Sequence, residues 1–223
     1  MPDSVTFYFM RHGETYLNHF ERIQGWSNAP LTPKGIEDSH RSGRGLADIR
    51  FDAIYTSDLG RTIDTAEIIL AENKASENIT IQPMKEFREV HFGYFEGLDA
   101  PGIWQDMIDS VNHEQGLPVG SQEQVESTLN MFKQKDPSGF AENYLEFWTR
   151  VESGLLKLLY KHAGKNHNVL VVCHGLTIRN LLHGLIVDFQ IGEHLKNASV
   201  SIVKYVDGQF KLLALNQTSH FID

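Results

Sequence analysis

The sequence predicts an α/β fold: a three-layer sandwich with a mostly parallel central sheet, helices on both faces, and a helical insertion over one end of the sheet. Three observations carry this. Short apolar, β-rich runs alternate with amphipathic helical stretches along most of the chain. The run VLVV at 169–172 is apolar without alternation, as expected of a strand buried on both faces. Two alternating segments, 199–206 and 209–215, flank Asp207-Gly208, a hairpin signal that adds an antiparallel piece.

The elements follow in order. VTFYFM at 5–10 reads as a buried strand that stops at Arg-His-Gly. Thr32 caps a helix whose first turn accepts Pro33, because proline's missing N–H costs nothing there; the helix runs to about Ala47. A short strand spans 53–56. Ser57 or Asp58 then caps a helix over 59–73, with Ile63, Ala66, Ile69 and Leu70 on one face. Residues 79–82 form another strand candidate. The block 98–165 reads mostly helical, with Ser121 and Gln124 at capping-box spacing and a long amphipathic stretch over 140–161. A helix over 178–187 follows the VLVV strand. With no repeat, linker or low-complexity tract, residues 1–223 read as one domain carrying a helical insertion at about 98–165.

Composition excludes several classes. At 41% hydrophobic and 22% charged residues, the chain is not a disordered one. A formal net charge of −9 argues against a general nucleic-acid binder and against an anionic membrane surface. The single cysteine, Cys173, rules out an internal disulfide and a Cys-cluster zinc site, and fits a reducing compartment. The N-terminus lacks a signal-peptide pattern and no apolar run approaches membrane-spanning length, so the expected location is the cytoplasm.

The chemistry-bearing residues sit at strand ends. RHGET, 11–15, follows the first strand directly, and CHG, 173–175, follows VLVV in the same relation. Ligand sites of open α/β sheets lie at the carboxyl ends of strands. These two motifs, with IQGWSNAPLTPKG, YTSDLGRTIDTA, FREVHFGYFEG and CHGLTIRNLL, resemble the histidine phosphatase superfamily, also called phosphoglycerate-mutase-like, in the family's order. The resemblance covers about residues 5–97 and 168–220. It implies phosphoryl transfer through a phosphohistidine, with no cofactor, no metal and a small phosphomonoester as the partner. The insertion would then cap the active site.

By that resemblance His12 is the nucleophile, His174 the second histidine that binds the transferring group, and Glu89 the carboxylate that protonates the leaving oxygen and then activates water. Arg11 and Arg61 fit a phosphoryl group on chemical grounds too, since a planar, permanently charged fork suits its oxygens. Asn18 and Gln24, with Thr32, match phosphate- or loop-contacting positions. Glu86 and Glu96 lie near enough to compete with Glu89. Arg179 reads as structural, and His19, His40, His91, His113, His162, His167, His183, His194 and His220 as ordinary. Cys173 reads as a buried small residue. Trp104, Phe132, Phe140, Tyr144, Phe147 and Trp148 read as packing for the insertion.

Three functions compete: a metal-independent phosphatase, a phosphoglycerate mutase using the same intermediate, and a catalytically inactive binding module. Retention of Arg11, His12, Arg61, Glu89 and His174 argues against the last. Mutases of the family resemble one another in a Gly-Leu-Asn-Lys stretch after the catalytic Glu; here it reads Gly97-Leu98-Asp99-Ala100. Over 98–149 the basic side chains are His113, Lys133 and Lys135, against nine acids. The reading is therefore a phosphatase for substrates with one phosphate and a less anionic remainder. The sequence leaves the substrate and the oligomeric state open.

Overall fold

The structure is a computed structural model describing residues 4–118, 120–187, 189 and 194–223. Six strands form one sheet in the order β3-β2-β4-β1-β5-β6. These are β1 (Ser4–Arg11), β2 (Ala53–Thr56), β3 (Ile81–Pro83), β4 (His167–Cys173), β5 (Val200–Val206) and β6 (Gln209–Gln217). β3, β2, β4 and β1 run parallel, and β5 and β6 are antiparallel additions. Asp207 and Gly208 both have positive φ, at 51° and 78°, as a type I′ hairpin requires.

The helices are α1 (Tyr16–His19), α2 (Pro33–Gly45), α3 (Gly60–Glu72), α4 (Ala100–Gln115), α5 (Gln122–Lys135), α6 (Tyr144–His162) and α7 (Gly175–Leu185). Two apolar clusters separate the faces of the sheet. Met10, Ile54, Leu170 and Val172 pack with Ala66 and Ile69 of α3. Phe7, Phe9, Val169 and Val171 pack on the other side with Val151, Leu155 and Leu158 of α6 and with Ile178, Leu181 and Leu182 of α7. The helical segment at 98–165 thus supplies two kinds of helix. α6 lies in the layer against the sheet, where His162 bonds the hydroxyl of Tyr55 on β2 at 2.9 Å. α4 and α5 stand over the sheet's carboxyl end, knitted by Trp104 on Phe132 at 4.8 Å and Phe92 on Phe132 at 5.0 Å.

Several element ends differ from expectation, each for a local reason. α3 starts at Gly60 without a side-chain cap, because Ser57 and Asp58 are engaged elsewhere. Asp58 pairs with Arg88 through two 2.6 Å contacts, and Ser57 faces His174. α6 starts four residues later than its amphipathic pattern, since Asn143 and Glu146 form a reciprocal capping box. Ser121 caps α5, but Gln124 returns its side chain to the N–H of Gly120. The strand placed at 79–82 is Ile81–Pro83. α7 begins directly after His174, three residues early. Phe140 packs no core and is 73% exposed.

Candidate functional site

The sheet itself gathers the motifs. In register, Arg11 on β1 stands opposite Cys173 on β4, and Thr56 on β2 opposite Val172. The next residues, His12, His174 and Ser57, therefore emerge at one edge. The His12 N–H donates to Cys173 O at 3.1 Å, and the Ala198 N–H reaches the carbonyls of Arg11 and His12 at 3.0 and 3.2 Å. Gly13 keeps the turn tight: a Cβ there would stand 2.7 Å from Gly35 O at the start of α2.

His12 is buried, and its Nδ1 lies 2.7 Å from Gly13 O. A carbonyl only accepts, so Nδ1 carries the proton and Nε2 keeps its lone pair. Arg61 Nε–H points at that Nε2 from 3.2 Å. Burial, then the charges of Arg61 and Arg11, holds His12 well below the ordinary histidine range, so the ring is neutral at neutral pH.

His174 sits beside it, ring centroids 5.3 Å apart. Its Nδ1 accepts from Arg61 Nη2 at 3.0 Å, so the proton lies on Nε2, 2.8 Å from Ser57 Oγ. Arg61 is fully buried and also donates to Ser27 O at 2.9 Å and Gly25 O at 2.7 Å. Burial lowers its pKa to about 10, which leaves it charged. Arg61 and His174 thus lie behind His12 rather than along the cavity wall.

A cavity of about 710 Å³ is lined by Arg11, His12, Asn18, Gln24 and Glu89, among others. Arg11 donates through Nη1 to Leu195 O, while its buried Nε has no hydrogen-bond partner. The Gln24 amide is oriented by Thr15 Oγ1 and Asn18 Nδ2, which donate to its Oε1 at 2.7 and 3.2 Å. That leaves Gln24 Nε2 buried and unpartnered. A buried donor without an acceptor costs about 1–3 kcal/mol, which an entering anion would recover.

Glu89 also lines the cavity. Its carboxylate accepts from the N–H groups of Val90, Leu176 and Thr177 and from Thr177 Oγ1, at 2.9–3.1 Å, at the N-terminus of α7. Burial nevertheless raises its pKa above the usual carboxylate range; the donors from Leu176 and Val90 and the charge of Arg61 offset part of that. The neighbouring acids are committed elsewhere. Glu86 pairs with Lys157 at 2.6 Å. Glu96 collects the N–H groups of Gly25, Trp26, Ser27 and Phe92 at 2.9–3.1 Å and so fixes the loop that feeds carbonyls to Arg61.

Arg179 and His194, read from sequence as structural and ordinary, both line the cavity, as does Arg22. No sequence signal marked them, because nothing in a helix or loop pattern tells which face will meet the cavity. Cys173 is fully buried, and burial pushes its thiol far up, as expected of a packing residue. Among the described residues, no group of three or more His, Cys, Asp or Glu converges on a point where a metal ion could sit. No described helix is long and apolar enough to cross a membrane.

Residues 7–218 match the family description "Histidine phosphatase superfamily (branch 1)". The chain belongs to the histidine phosphatase superfamily. Within that family it is 31% identical over 206 residues to the probable phosphoglycerate mutase GpmB of Escherichia fergusonii, covering 91% of this chain and 86% of that protein. The crystal structure of a phosphoglycerate mutase from Bacillus anthracis superposes with a TM-score of 0.86 at 33% identity, covering 98% of this chain and 96% of that one. An alpha-ribazole phosphatase from Shigella flexneri superposes with a TM-score of 0.73 at 23% identity over 96% of both chains, a likeness of fold alone. Proteins with mutase names and with phosphatase names thus share this fold.

Proposed function

We propose that the protein hydrolyses phosphomonoesters through a phosphohistidine on His12, without a metal ion. The observation that carries this is the unprotonated Nε2 of a neutral His12, met by Arg61 Nε–H, in the lining of a cavity shared with two buried donors, Arg11 Nε and Gln24 Nε2, that lack acceptors. In the first step His12 Nε2 attacks phosphorus, the P–O bond to the alcohol breaks, and protonated Glu89 gives its proton to the leaving oxygen. In the second, Glu89 takes a proton from water, the water oxygen attacks phosphorus, and the N–P bond breaks. Arg11, Gln24 and Asn18 bind the phosphoryl oxygens. Arg61 holds both rings and adds charge from behind. His174, behind His12, accepts from Arg61 and donates to Ser57, and so helps hold the Arg61 guanidinium in place.

The cap favours hydrolysis of a substrate with an apolar remainder. α4 and α5 line the cavity with Ala100, Pro101, Trp104, Ile108 and Val125. Their polar lining groups are already engaged: Gln124 bonds Asn112 and Gly120, and Thr128 bonds the carbonyl of Gln124. None of the cap's acids lines the cavity among the described residues. A second reading, a phosphoglycerate mutase, draws on Arg22 and Arg179 in the wall, which suit an anionic remainder, and on the mutase names of relatives. Phosphate release from a panel of monoesters, with and without chelator, against phosphoryl transfer between phosphoglycerates separates the two. We expect hydrolysis of an aryl or alkyl ester to exceed transfer and to survive chelation; faster transfer than any hydrolysis overturns the phosphatase reading.

A further inference from the structure

Glu89 stands on backbone with no sheet or helix to hold it. Between the 3₁₀ turns at Lys85–Phe87 and Gly93–Phe95 the chain is irregular. One side chain compensates from behind. Arg150, on α6, aims its guanidinium at four carbonyls of this segment. Nη1 reaches Lys85 O, Glu86 O and Arg88 O at 3.4, 3.1 and 3.0 Å, and Nη2 reaches Glu89 O at 3.1 Å. Glu142 orients Arg150 through bidentate contacts of 2.9 and 2.6 Å, and its carboxylate also accepts the His91 N–H at 3.0 Å. Backbone on both sides of Glu89 is therefore tied to α6. The Trp26 indole N–H adds a second anchor on Glu89 O at 2.8 Å, and Arg88 lies 4.3 Å over its ring.

Arg150 and Trp26 do not line the cavity. Four carbonyl dipoles converging on one half-buried cation form a rigid arrangement, because the guanidinium fork fixes their directions. We infer that Arg150 is a positioning residue for Glu89, with Trp26 its second anchor: together they place the carboxyl group where it can protonate the leaving oxygen. A misplacement of about 1 Å can cost about 10²-fold in rate. This inference rests on Glu89 being the acid and base of the proposed phosphatase.

The test compares Arg150→Met, Trp26→Phe, Glu89→Gln and the double variant Glu89→Gln/Arg150→Met on two esters, an alkyl phosphate and p-nitrophenyl phosphate. Nitrophenolate leaves without a proton and an alkoxide does not, so only a defect in acid catalysis separates the substrates. In kcat/KM, which reports the step in which the alcohol leaves and not the later hydrolysis common to both esters, Arg150→Met should lose at least about tenfold more on the alkyl ester than on the nitrophenyl ester. Trp26→Phe should show the same preference more weakly, and the double variant should match Glu89→Gln within about twofold, as residues acting as a unit do. Equal losses on both esters in Arg150→Met and Trp26→Phe, or multiplied losses in the double variant, overturn the inference. Should Arg150→Met fail to fold, Trp26→Phe, which keeps the ring and its stack, decides by the same criterion. If Glu89→Gln itself affects both esters equally, the role of Glu89 fails and the inference with it. A selective Glu89→Gln beside unselective Arg150→Met and Trp26→Phe removes the positioning role alone.

Discussion

His12 acts only while its Nε2 is bare, and Glu89 starts the cycle only while it is protonated. Their surroundings move the two groups in opposite directions: burial, Arg61 and Arg11 lower His12, and burial raises Glu89. These set the acid and alkaline limbs of kcat/KM on an alkyl phosphomonoester. After correction for the substrate's own ionisation near pH 6, the rate should hold its plateau as pH falls through 6.5 and decline only well below it. The alkaline limb should disappear in Glu89→Gln while the acid limb stays. An acid limb centred near 6.5 would show that His12 is not shielded as its contacts imply.

At the scale of elements, the active loop depends on one close approach. The first turn of α2 lies against the backbone of Glu14, where a Cβ on Gly35 would stand 2.1 Å from Glu14 O and 2.7 Å from its N. These are backbone atoms, so nothing flexible can yield. Thr32 caps the same turn by accepting the Gly35 N–H at 3.0 Å and ties it to the loop through Glu14 Oε1 at 2.8 Å. Gly35→Ala should therefore destabilise by about 1–3 kcal/mol, the usual cost of overpacking, and depress kcat because Glu14 follows His12 by two residues. Gly116→Ala is the control: its φ is +60° but nothing lies within 4 Å of the new methyl. It should cost only the backbone strain of about 1–2 kcal/mol and leave kcat alone. Urea unfolding with parallel kinetics checks both; a Gly35→Ala protein with normal kcat would disprove the coupling.

For the whole molecule, acid should destabilise the fold through its buried histidines. His162 is buried, bonded to the Tyr55 hydroxyl, and its Nδ1 meets the Nδ1 of His167 at 2.9 Å. One of those nitrogens must accept, so the contact survives only while one ring is neutral there. Burial first, then His167, Lys161 and Lys165, lowers His162 to about 4. His12 and His174 are lowered as well. Unfolded histidines take protons near pH 6.5, so between that pH and the folded values the unfolded chain binds more protons. Stability is then full above 6.5 and falls as pH falls toward 4. Glu89, raised by burial, works in the opposite sense but is one group against five histidines, since burial lowers His194 and His220 too. The share of His162 is about 1–3 kcal/mol by pH 4. Tm followed from pH 7.5 to 4.5 should drop, less steeply in His162→Gln; parallel slopes would clear His162 of the effect.

The sequence alone determined the parts that depend on local pattern. Unbroken apolar runs marked the strands, Thr32-Pro33 and Asp207-Gly208 marked a helix start and a hairpin, and histidine-glycine pairs directly after two strands marked the site. A strand end fixes where the next side chain emerges, so RHG and CHG could be placed together before any coordinates. What required the tertiary structure was the physical ground for each choice among equivalent residues. Glu86, Glu89 and Glu96 differ only in partners that lie distant in sequence: Lys157 takes the first, the α7 N-terminus receives the second, and four loop N–H groups claim the third. Arg179 faces the cavity and Arg150 the back of Glu89, though both are arginines on amphipathic helices. Helical periodicity reports that a face is buried and not what it is buried against, and a side chain's charge does not name its counterpart. Those assignments are made by packing between segments tens of residues apart, which only the folded chain brings into contact.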